Sequence, residues 1–307
     1  MSQSSGGPHS ISGIVAALVT SRRQNGDGPD IPSTIRIARF AHDAGCSGVA
    51  LLGATGEYLD YSPVQRIELI EAVAAECPAP LIVNCSHTVL DDSIRMGKAA
   101  ADAGAAALMI MPPPFFHHDA SQLRAFFAAF AGAMGERLPL LLYNLPAFTD
   151  WIPIEVAEEL LGTNVYAGIK DSSGSREYFD RLLEAKHNCK CMVFVGNDVL
   201  YVHGHAMGAD GGISGCAVAA PELMLPLRRA VLDGDHTRIA ELSEHLATFI
   251  KWLDEFPVPM GIREALAERC LSVGPPAVPP SSEIEAKLRE YRAWFGPWLE
   301  ELQRSGG

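Results

Sequence analysis

Basic residues are the scarce class in this sequence. Its 24 Lys and Arg stand against 37 Asp and Glu, for a formal net charge of −13 at pH 7. That balance excludes a partner that demands a broad basic face, nucleic acid and anionic membrane foremost, while leaving room for a local basic pocket. Long apolar runs are missing as well, since no stretch approaches the roughly 20 residues needed to cross a bilayer. The opening MSQSSGGPHS is polar and glycine-rich, with no basic segment leading into an apolar one, so residues 1–9 read as a disordered tail. The seven cysteines, an odd number, include no CxxC pair and no His/Cys spacing of the zinc type. They read as small apolar fillers of a reduced, cytoplasmic protein.

What is present is apolar and periodic. With 307 residues, 48% apolar and 20% charged, the chain has enough core for one large domain or two small ones. Eight short apolar runs follow one another: ISGIVAALV, CSGVALLG, PLIVNCS, AAALMIM, LPLLLYN, VYAGIK, CMVFVGN and DGGISG. Each leads into a turn and most into an amphipathic, alanine-rich segment, and their spacing of roughly 20–35 residues is that of successive βα units. The expectation is an α/β fold, a (β/α)8 TIM barrel over residues 10–232. Pro32 with Ser33, Ser62 with Pro63, and Asp119 with Ser121 mark helix starts between the runs. After DGGISG the strand signal stops, and residues 233–307 read as a C-terminal α-helical extension with VGPPAVPPSS as a stiff connector inside it.

Function in such a barrel belongs to the carboxyl ends of the strands. VYAGIK ends on Lys170 and gives way to Asp171, Ser172, Ser173 and Gly174. Apolar walls strip an ammonium of water, lower its pKa and free the amine as a carbonyl nucleophile. The plain alternative is a charged strand terminus that reaches solvent or pairs with Asp171. Tyr143 occupies the corresponding position one unit earlier, where a phenol can pass protons to a bound carbonyl or serve as a core aromatic. In GATGE, Gly53 and Gly56 permit close backbone approach to a small anion and Thr55 offers donors; a bare βα turn is the alternative. GND (Gly196 to Asp198) and GADGGISG bring backbone groups of Gly212, Ile213 and Ser214 to the mouth, which also suits a phosphate site but lacks a nearby cation. His87, His117, His118, His203 and His205 do not share a face, so they read as solvated or capping residues, with no metal expected.

GATGE, YNLPAFT, GIKDSS and GADGGISG, in this order and at these spacings, resemble the dihydrodipicolinate synthase and N-acetylneuraminate lyase family of Schiff-base aldolases. The resemblance spans essentially the whole chain. It implies a homotetramer or homodimer without cofactor, acting on a small 2-oxo acid. Lys170 matches the lysine that condenses with the keto group of pyruvate, and Tyr143 the proton-shuttling tyrosine. Thr55 matches the residue that binds the substrate carboxylate, and Ile213 a backbone contact near it. This sequence departs from the usual dihydrodipicolinate synthase in three places. Ala54 replaces the first threonine of the GTTGE motif, Phe148 replaces an arginine, and Phe115 and Phe116 stand where a tyrosine is lent across a subunit interface. A phenyl ring cannot replace a bidentate guanidinium. The implied reading is therefore a lyase or aldolase of pyruvate or a 2-keto-3-deoxy (sugar) acid. Condensation of pyruvate with an aldehyde, as in 4-hydroxy-tetrahydrodipicolinate synthase, a related dehydratase, and a catalytically silent acid-binding barrel are the alternatives. The remaining site expectations are substrate contacts at Gly53, Ala54, Ser214 and Phe148, the last favouring an apolar or aromatic aldehyde.

Overall fold

The computed structural model describes residues 11–305; the tail expected over residues 1–9 lies outside the described residues. Eight strands pair in parallel and in chain order: β1 (Gly13–Ala17), β2 (Gly48–Leu51), β3 (Leu81–Asn84), β4 (Ala107–Ile110), β5 (Leu140–Asn144), β6 (Gly168–Asp171), β7 (Met192–Val195) and β8 (Gly211–Ser214). β8 returns to β1 and closes the barrel. Because packed side chains fill the barrel inside and helices cover it outside, the strands read as continuous apolar runs and not as alternation.

Seven helices alternate with the strands: α1 (Ile31–Asp43), α2 (Pro63–Glu76), α3 (Leu90–Asp102), α4 (Ala120–Met134), α5 (Ile154–Gly162), α6 (Arg176–Lys186) and α7 (Tyr201–Ala206). After β8 come α8 (Gly215–Ala219), α9 (Pro221–Asp233), α10 (His236–Leu253), α11 (Met260–Glu268) and α12 (Ser282–Ser305). The cap signals act as read. Asp30 accepts from the Ser33 amide with Pro32 in the first turn of α1, while Ser62 with Gln65 and Asp119 with Gln122 form reciprocal capping boxes on α2 and α4. Each such cap is worth about 1 kcal/mol.

Two local readings are corrected. β6 starts at Gly168 and includes Asp171, whereas the run VYAGIK starts at Val165 and stops at Lys170. Tyr166 is drawn out of the sheet because its hydroxyl donates to the Phe127 carbonyl of α4 at 2.8 Å. Asp171 stays in the sheet because its carbonyl accepts the Gly196 amide at 2.8 Å. Of the five histidines singled out, only His117 is exposed; His87, His118 and His203 are half-buried with polar partners, and His205 is buried. His87 accepts from the Val89 amide, His117 and His118 both engage Asp150, and His203 engages Asp180. His205 is buried with neither ring nitrogen partnered, edge-on to the Tyr201 ring. Burial and then the Arg228 charge lower its pKa to about 4, so the ring is neutral.

The connector before α12 is tied back to the start of the barrel. The Arg22 amide donates to the Val273 carbonyl at 3.0 Å. At Gly274, with φ +69°, an added Cβ would lie 1.7 Å from the Arg22 carbonyl oxygen, so glycine is the residue that permits this approach.

Candidate active site

Parallel register brings the two chemistry-bearing side chains together. β5 and β6 pair Tyr143 with Lys170 and Asn144 with Asp171. Lys170 Nζ donates to the Tyr143 hydroxyl at 3.1 Å and lies 4.2 Å from the centre of the same ring. Lys170 is only 4% exposed and Tyr143 2%, so this amine meets a phenol and not bulk water.

One residue further along, the Asn144 side-chain amide donates to Asp171 at 2.7 Å and its oxygen accepts the Ile152 amide at 3.0 Å. Asp171 also takes bonds from the Ser173 amide and hydroxyl. Burial nevertheless raises the Asp171 pKa to about 6, against those hydrogen bonds. This latch fixes the ends of β5 and β6 relative to each other. Space for the lysine comes from Gly196, where a Cβ would fall 2.2 Å from Ser172 Oγ and 2.9 Å from Lys170 Cε.

Lys170 and Tyr143 open into a cavity of about 560 Å³. Ala54, Thr55, Ile213 and Phe148 line it too, so six of the residues expected from the sequence share one space. Neither Gly53 nor Ser214 is among the described residues that line it; Ser214 Oγ instead accepts the Ala217 amide and caps α8. Lys170 is the only cation among the lining residues.

Two groups without a role in the sequence reading complete the cavity. Ser172 Oγ and Asp198 Oδ1 are buried there with no hydrogen-bond partner. Asp198 Oδ2 accepts the Cys216 amide, and burial raises the Asp198 pKa against hydrogen bonds from Ser214 and Cys216. Unpartnered buried oxygens cost about 1–3 kcal/mol each, a debt that a ligand hydroxyl can cancel. Spacing offered a signal for Ser172: it stands two residues after Lys170 on an extended segment, hence on the same side.

The sequence model of the Dihydrodipicolinate synthetase family matches residues 10–293. This chain belongs to that family. A 4-hydroxy-tetrahydrodipicolinate synthase of Methanothrix thermoacetophila is 30% identical over 285 residues, covering 91% of this chain and 95% of the relative. A chloride-inhibited dihydrodipicolinate synthase from Acinetobacter baumannii, solved with pyruvate, aligns with a TM-score of 0.83 at 26% identity, covering 92% of this chain and 98% of that one. A sialic acid aldolase from Ruminococcus gnavus, solved as a catalytic lysine mutant, aligns with a TM-score of 0.87 at 19% identity over 97% of this chain and 98% of that one. At 19% the likeness is one of fold. As a member of the Dihydrodipicolinate synthetase family the chain is an enzyme, a lyase of the class I aldolase type. Among the described residues no helix is long and apolar enough to cross a membrane.

Proposed function

We propose that Lys170 forms a Schiff base with the keto carbon of pyruvate or of a 2-keto-3-deoxy acid, and that Tyr143 moves the protons. The 3.1 Å contact between Nζ and the phenol, buried at the base of the cavity, carries this reading. Nζ adds to the keto carbon, Tyr143 gives its proton to the departing hydroxyl, and water leaves as the protonated imine forms. The bond between C3 and C4 then breaks: Tyr143 accepts the C4 hydroxyl proton, the electron pair flows into an enamine, and an aldehyde departs. Protonation at C3 and hydrolysis of the imine release pyruvate. The pyruvate enamine run in reverse condenses with an aldehyde; in a dehydration the intact imine instead loses a C3 proton, and the resulting enamine expels the C4 hydroxyl, which leaves as water with a proton from Tyr143.

Thr55 is assigned to the substrate carboxylate, and the orphaned oxygens of Ser172 and Asp198 to hydroxyls near the bond that breaks. Use of aspartate semialdehyde is disfavoured. Its carboxylate needs a cation; Phe148 offers none and Lys170 is consumed by the imine. Sugar acids are the 2-keto-3-deoxy acids the sequence brings forward. A homodimer or homotetramer in the cytoplasm completes the proposal. Phe115 and Phe116 support the assembly: 85% and 69% exposed, they pack edge to face at 5.0 Å on the surface.

Borohydride reduction with pyruvate tests the chemistry. A reduced adduct on Lys170, lost in Lys170→Ala together with turnover, is the expected outcome. Absence of an adduct with every 2-oxo acid tried makes the barrel a silent binder of small acids.

A further inference from the structure

The space around Lys170 does not end at Phe148. A second chamber of about 360 Å³ adjoins it, within the size range of small-molecule sites. The two share Ala54, Leu145, Phe148, Pro257, Val258 and Pro259 as a common wall. Leu59, Phe148, Val258 and Val278 around this chamber are each more than half exposed, a concentration of apolar surface that folding leaves wet beside a reactive centre.

Charged groups also line the chamber, but each is already in an ion pair, Arg263 with Glu57 and Asp60 with Arg22 outside the lining. Arg263 Nη1 donates to Glu57 at 2.6 Å and to the Thr20 carbonyl at 3.3 Å, while Nη2 donates to the carbonyls of Val273, Gly274 and Pro275. Asp60 is held by Arg22 at 2.6 Å. A polyhydroxylated chain entering here would shed water and find these donors already taken, whereas an alkyl or aryl chain loses nothing and buries its own surface. Ala54 and Phe148, two positions where this sequence gives up a polar residue of the usual synthase pattern, both lie in the shared wall.

We propose that this chamber binds the remote substituent of the substrate and that the substituent is apolar, an alkyl or aryl group. The enzyme then makes or cleaves 4-hydroxy-2-oxo acids with an apolar tail. The inference rests on the Schiff-base reading and narrows its 2-keto-3-deoxy acids away from the sugar members. In the condensing direction, C3 of the pyruvate enamine bonds to the aldehyde carbon, the aldehyde oxygen takes the Tyr143 proton, and water frees the product from Lys170. Ser172 and Asp198 face the one hydroxyl so formed, and the chain beyond it enters the chamber.

The test is condensation of pyruvate with straight-chain aldehydes from propanal to hexanal, beside glyceraldehyde. Expected is a rise in kcat/KM of about fourfold per methylene, the worth of one buried CH₂, with hexanal well above glyceraldehyde. Val278→Asp should flatten the series. A series already flat in the unaltered enzyme, or a preference for glyceraldehyde, overturns the proposal. Pyruvate trapping on Lys170 is read first. If it fails, the imine reading falls, and the chamber is judged by hexanol binding to methyl-labelled enzyme: shifted Val258 and Val278 signals uphold an apolar site, and unshifted ones remove it.

Discussion

A neutral imidazole buried without partners, as at His205, makes one residue answerable for part of the acid sensitivity of the fold. The unfolded chain takes up this proton near pH 6.5, while the folded chain resists it until about pH 4. Stability from this site is therefore intact above the unfolded value and drains away as pH falls through the window between the two. We expect wild type to lose about 2 kcal/mol relative to His205→Phe on going from about pH 7.5 to about pH 5. Urea titrations of both proteins at each pH read the difference; a gap that does not move with pH would show that the ring is not the acid-sensitive group. Sequence could not have exposed this residue. His203 and His205 stand two apart on one short helix, and only the packing of Tyr201 and α9 decides which is dry. Lys170 and Tyr143 were legible for the opposite reason: each closes an apolar run, and strand ends of a closed parallel barrel converge by construction. Asp198 sat in a noted turn, but its orphaned oxygen depends on where the amide of Cys216 falls.

The pair β5 and β6 works as a unit through the bond between Asn144 and Asp171. Asn144→Ala would orphan the Ile152 amide and strip one donor from a buried carboxyl, a loss of about 3 kcal/mol. Its expected signature is a lowered Tm together with a lower kcat, since Tyr143 and Lys170 are the adjacent pair in the same register. An unaltered Tm and kcat would mean that the strands hold their ends without the latch. Strand positions were readable because burial on both sides leaves unbroken apolar runs. Strand limits were less so, because the exit of Tyr166 is governed by a carbonyl of α4. The proline-rich connector, read as a spacer, is wall: Pro276, Ala277 and Val278 border the apolar chamber. Arg263 and the Thr20 carbonyl are 243 residues apart, a distance over which no local pattern carries information.

For the whole molecule, the proposed assembly predicts a mass in light scattering of two or four times the 32.9 kDa chain. Changing both Phe115 and Phe116 to aspartate should shift it toward the single chain, because two like charges replace the apolar contact. A monomer in the unaltered protein, or an assembly indifferent to the double change, would rule out this face.

The knot of bonds on Arg263 also sets an order of events during synthesis. The ribosome delivers Lys170 and the closing strand long before Arg263 and the prolines that follow. A nascent barrel ending short of Met260 thus carries its nucleophile with one side unroofed and Glu57 without its counter-ion. Working enclosure arrives only once Arg263 and the prolines after it have been added.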